Sequence, residues 1–117
     1  MEGFWTCTFE GIQGFGTGVV VLIGGKLFGG DTGYTYTGSY TVSGSTLEAK
    51  VHVEQYVGGI PSVMGQTNFN LELRGAANGN QIVIAGSVPG TPMLFRGTMT
   101  KRSELPARNQ AVVGQAG

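Results

Sequence analysis

The chain has 117 residues, 40% hydrophobic and only 12% charged, with seven basic and seven acidic side chains that cancel. That length suits one domain able to bury a core without disulfide staples. A nucleic-acid binder usually carries a basic face to displace counterions from phosphate, and none is visible in this sequence.

Glycine is in excess: 22 residues, against roughly 7% in ordinary chains. The glycines fall between apolar runs, so they read as turns, bulges and strand bends rather than as a low-complexity segment. The amino terminus, MEGFWTCTFEG, has an acid where a secretory signal has a basic region, and no long apolar stretch follows. Cys7 is the single cysteine, so no internal disulfide forms and a reducing compartment is expected. The longest apolar run, Val19 to Ile23, falls far short of the ~20 residues of a membrane-spanning helix. These features together predict a cytoplasmic protein.

Period-two alternation, which sends successive side chains to opposite faces of a strand, dominates the rest. The first strand is predicted at 3–10 and carries Cys7 between Thr6 and Thr8. A cysteine nucleophile needs a nearby base and electropositive surroundings; a small buried thiol is the preferred reading. The second strand, 16–24, contains GVVVLIG, apolar on both faces: Val19, Val21 and Ile23 on one, Val20 and Leu22 on the other. A strand apolar on both sides is covered on both sides. Val20 and Leu22 are therefore assigned to a dimer or partner surface, the simplest outer cover being a second subunit.

Gly24-Gly25 supplies a two-residue hairpin to the third strand, 26–30. The glycines around Lys26 invite a phosphate-loop reading, but Leu27 stands where Ser or Thr is needed and no helix follows, so a nucleotide site is rejected. Gly29, Gly30 and Asp31 form a predicted rim turn. Asp31, the only aspartate, can orient a ligand hydroxyl there; holding its own turn is the preferred role.

The fourth strand, 34–42, alternates Tyr34, Tyr36, Gly38, Tyr40 and Val42 with threonines and serine. Ser43-Gly44-Ser45 turns the chain into the fifth, 46–56, where Leu47, Ala49, Val51 and Val53 share the inner face. His52 lies on the outer face with Glu48, Lys50 and Glu54. With no Cys or His partner at suitable spacing, it reads as a solvated surface residue and not as a metal ligand. IPSVMGQ is expected to make at most one short helical turn, with Ser62 near its start. Strands at 67–75, 81–88 and 93–101 complete the set, with Asn78-Gly79 as a hairpin signal. Residues 103–117 lose the alternation and are expected to form a loose tail outside the 1–102 domain.

Eight short strands at roughly 8–12-residue spacing predict an all-β, up-and-down barrel, closed so that no sheet edge is left to aggregate. Gly38, Gly86 and Gly97 fall where the wall must bend. Trp5, Phe9, Tyr36, Tyr40, Phe69 and Phe95 are the candidate lining of the interior. An interior of this width either is filled by side chains or holds one small ligand; the number of large rings favours a filled one.

At GGDTGYTYTGSY and IPSVMG the chain resembles the GrlR family, small bacterial proteins named for a negative regulator of type III secretion genes. The resemblance runs from Met1 to about Arg102 and includes the Gly29-Gly30-Asp31 turn, the Tyr/Thr strand and the hairpin to LEAKVHV. It implies a lipocalin-like barrel that dimerises and acts by binding a protein, a transcriptional activator in the namesake type. It differs at one place: an acidic stretch linked to partner capture in that type is replaced here by VSGSTLEA, with Glu48 its only acid.

The leading functional expectation is thus a non-catalytic regulatory protein, a homodimer with a protein partner such as a transcriptional regulator. The alternative is a lipocalin-like carrier of a small apolar ligand, oriented by Asp31 or Thr35. No catalytic constellation, metal site or cofactor is expected, and no nucleic-acid or membrane partner.

Overall fold

The computed structural model describes residues 1–106; the greater part of the expected C-terminal tail lies outside the described residues. Eight strands follow one another: β1 (Gly3–Gly11), β2 (Gly14–Ile23), β3 (Lys26–Gly30), β4 (Tyr34–Ser43), β5 (Thr46–Gln55), β6 (Asn68–Asn78), β7 (Gln81–Ser87) and β8 (Leu94–Ser103). Each pairs antiparallel with the next, and β8 returns to β1 to close the barrel. This is the architecture the alternation predicted, with strand ends displaced by no more than a few residues. Among the described residues no helix is long and apolar enough to cross a membrane.

The turns follow their sequences. Gly24 and Gly25 both take positive φ, 56° and 79°, which a hairpin twisted like its strands requires and only glycine adopts freely. At the β6–β7 hairpin Asn78 pairs with Gln81, so the loop is Gly79-Asn80, one residue later than expected. The reason is conformational. Gly79 takes φ 63° and, among the described residues, none other than glycine has positive φ, so the glycine occupies the first loop position and Asn78 stays in the strand.

The closing seam between β1 and β8 pairs Thr6 with Thr100 and Cys7 with Met99, and shifts register between Phe4 and Trp5. An irregularity of this kind strengthens the local twist with which a small sheet closes. The expected bend glycines lie at close backbone approaches: a Cβ on Gly38 would collide with the carbonyl of Lys50, and one on Gly86 with that of Glu72.

The inner face is apolar on every strand. Trp5, Leu22, Leu47 and Ile82, each at most 2% exposed, pack together near the end that carries the β2–β3, β4–β5 and β6–β7 hairpins. Gly75, facing this packing from β6, leaves the room: a Cβ there would lie 2.6 Å from Cγ2 of Ile82.

Burial corrects one assignment. Val20 and Leu22, expected on a dimer surface, are 5% and 0% exposed and belong to the core. Val19 and Ile23 face outward instead, 41% and 43% exposed, with Val21 half-buried between them. Both faces of GVVVLI are apolar, so alternation alone could not choose. Pairing decides it, because Val20 lies opposite Trp5 and Leu22 opposite Leu27, both inward residues of neighbouring strands.

Candidate functional site

Toward the opposite end the interior is hollow. A cavity of about 290 Å³ lies under the Asp31–Gly33 turn and the long β5–β6 connection, at the lower edge of the ~300–1,000 Å³ typical of ligand sites. The expectation of a filled barrel thus holds for one half only. Phe9 and Phe95 stack at 5.5 Å in its wall, and Phe9 meets Tyr36 edge-on at 6.4 Å. Val51, Val53, Phe69 and Leu71 supply much of the remaining apolar lining. These side chains come from strands far apart in sequence but adjacent around the wall.

Asp31 anchors the polar part. Its Oδ1 accepts hydrogen bonds from the backbone N–H groups of Gly33 and Tyr34, each at 3.0 Å. This is the self-bonded turn expected of an Asp before Thr-Gly. Its Oδ2 accepts from the Tyr36 hydroxyl, which projects from the second inward position of β4. Burial raises the Tyr36 hydroxyl above the usual phenol range, and the hydrogen bond to the Asp31 carboxylate adds to the shift, so Tyr36 remains the donor. Gly18, facing it from β2, makes this approach possible: a Cβ there would sit 2.7 Å from the hydroxyl oxygen. The same carboxylate therefore holds the turn and lines the cavity. Gly29 and Gly30, by contrast, are strand residues of β3, and the turn begins at Asp31.

The β5–β6 connection folds over the mouth. Tyr34 donates from its hydroxyl to the Ile60 carbonyl at 2.7 Å, and Gln55 Nε2 donates to the same oxygen at 3.0 Å. Gln13 N–H donates to the Val63 carbonyl at 2.7 Å, tying this segment to the β1–β2 turn. Ser62 does not start a helix. It heads a single turn closed by Gly65 N–H on the Ser62 carbonyl, and its Oγ accepts from Gln66 N–H at 3.0 Å. Met64, 1% exposed, plugs inward over Gly11, where any Cβ would strike its sulfur.

Of the aromatics expected to line the interior, Phe9, Tyr36, Phe69 and Phe95 do so. Trp5 does not: it is buried at the packed end, donating from Nε1 to the Met1 carbonyl at 3.1 Å. Tyr40, two inward positions further along β4 than Tyr36, packs half-buried against the core short of the cavity. Thr35 points outward and is exposed, so it cannot orient a ligand inside. The Ile60–Met64 cover was missed. The available signal was a group of apolar residues, Ile60, Val63 and Met64, within a turn-rich segment that solvent alone would not explain.

Cys7 lines the cavity, and burial holds its thiol protonated, pushed up to about 12. His52 lies on the outer surface, its Nδ1 2.8 Å from Asn70 Oδ1 and its Nε2 3.4 Å from Glu54. The barrel wall separates the two. No grouping of three metal-binding side chains occurs among the described residues.

Fold and site together define a small closed β-barrel with one packed end and one hollow, apolar end whose lining holds a single carboxylate among the described residues. No protein-family model and no curated protein matches the chain.

Proposed function

We propose that the protein is a non-catalytic regulatory protein that pairs with a second copy of itself and binds another protein, as its resemblance to the GrlR type implies. The observation that carries this reading is an apolar row on the outer wall. Phe4, Val21 and Phe28 are direct cross-strand neighbours on β1, β2 and β3, flanked by Val19 and Ile23. Phe4 and Phe28 are 36% and 47% exposed. Contiguous outward apolar residues of this kind mark interaction surfaces, whereas singly scattered ones do not. The dimer face thus moves from Val20 and Leu22 to the opposite side of the same strand.

A non-catalytic role is supported by the separation of the only thiol from the only imidazole across the wall, and by the protonated state of that thiol. Sedimentation velocity at micromolar concentration tests the dimer. A two-fold mass is expected, falling to that of one chain in Val21→Glu or Phe28→Lys with the β spectrum unchanged. A wild-type monomer overturns it. Retention of a transcriptional regulator by the tagged protein tests the partner.

The cavity favours a second reading, a carrier of a small apolar ligand. Its apolar lining and a mouth crossed by one loop are what such a role requires.

A further inference from the structure

The cavity's polar atoms are unequally disposed, and this bears on what it would hold. Asp31 is the only charged side chain in the lining; no Lys, Arg or His reaches it among the described residues. Nor does Asp31 take part in any ion pair among the described residues. Its carboxylate accepts three hydrogen bonds, leaving capacity from its roughly four acceptor positions. The Tyr36 proton is committed to Asp31, so the oxygen that Tyr36 still offers is an acceptor as well. The other hydroxyls near the mouth are occupied: Tyr34 donates to Ile60 and accepts from Gln55, and Ser62 donates to Gln66. Thr17 faces outward with Val19, so only the Thr32 hydroxyl, exposed at the mouth, is left among the lining side chains to serve as either donor or acceptor.

Resting on the carrier reading, we infer that the cavity selects medium-chain apolar ligands whose head group donates a hydrogen bond to Asp31 and Tyr36, an ammonium or an alcohol, and rejects carboxylates. The chain of such a ligand lies among Phe9, Val51, Phe69 and Phe95 while its head meets Asp31 at the turn. An ammonium forms a charge-assisted hydrogen bond with the carboxylate. A fatty acid brings a second anion beside Asp31, with no cation to offset it, in a poorly solvated site.

The experiment is displacement of the neutral fluorophore N-phenylnaphthylamine from the full chain by decylamine, decanol and decanoate at neutral pH. Decylamine is expected to bind tightest and decanol next, with decanoate weaker than decylamine by about tenfold or more, as the loss of a charge-assisted bond implies. Asp31→Asn keeps a side-chain oxygen for the Gly33 and Tyr34 N–H groups and is expected to erase the preference for the amine. Tyr36→Phe, which leaves the turn bonds untouched, is expected to weaken amine and alcohol alike. Val51→Phe fills the cavity and is expected to abolish binding of all three. Decanoate binding as tightly as decylamine overturns the head-group inference while leaving the carrier reading in place. Failure of fluorophore, amine and alcohol to bind the wild-type chain overturns both.

Discussion

The two ends of the barrel are made of the same eight strands, yet one is solid and the other hollow. At the solid end Trp5, Leu22, Leu47 and Ile82 meet with almost no exposure, and the strands there are joined by tight two-residue hairpins. At the hollow end the small inward residues Cys7, Gly18, Val51 and Val53 alternate with the rings of Phe9, Tyr36, Phe69 and Phe95, which line the wall without filling the interior. That end also carries the long β5–β6 connection, tied down by Tyr34, Gln55 and Gln13. Packing density, more than fold, separates the end that stabilises from the end available to a ligand.

Truncation gives the largest expected contrast. Leu22→Ala or Ile82→Ala should cost about 2–5 kcal/mol in urea unfolding, because a tightly packed site cannot collapse around the space left. Val53→Ala, in the wall of an existing cavity, should cost less than either, since its side chain already lacks neighbours on one side. Equal losses at the two ends would break the contrast.

Asp31→Ala removes three hydrogen bonds to a carboxylate at the hollow end and leaves Tyr36 without its acceptor. A loss of at least about 1.5–3 kcal/mol is expected, the range for one hydrogen bond to a charged group. It should be accompanied by faster amide exchange at Gly33 and Tyr34. Protection unchanged at those amides would separate Asp31 from the turn.

Cys7 sharpens the same comparison through pH. Its folded pKa is raised by burial from 9.0 to about 12. Between those values the unfolded chain has lost the thiol proton and the folded chain keeps it, so stability falls as pH rises. The contribution is fully present below pH 9.0 and is lost as pH climbs toward 12. The stability of wild type relative to Cys7→Ala should therefore decline across that window. A pH-independent difference would mean that the hollow end is wet enough to solvate a thiolate.

Much of this was legible in the residues. TLEAKVHVEQ and NFNLELR alternate cleanly, so β5 and β6 and their inner faces follow from periodicity alone. Gly24-Gly25 and Gly44 marked hairpins because their conformations exclude side chains. Asp31 was readable as a turn residue for the same local reason: its partners are two and three positions away. Its contact with Tyr36 was not, since that depends on the inward Tyr36 side chain reaching the turn inside the barrel and on Gly18 making room from β2. Trp5 was assigned to the cavity because alternation gives the face of a side chain and not its depth along the barrel.

The order of hydrophobic and polar residues by itself determined an all-β barrel of eight strands, since strand period, turn chemistry and the need to close sheet edges are local or counting properties. Tertiary structure decided which apolar face of GVVVLI turned inward, where the interior filled and where it stayed open, and that Ile60 to Met64 would cover the mouth. Those outcomes depend on the summed volumes of side chains from every strand at a given height and on pairing across the wall. No single stretch of sequence contains either quantity.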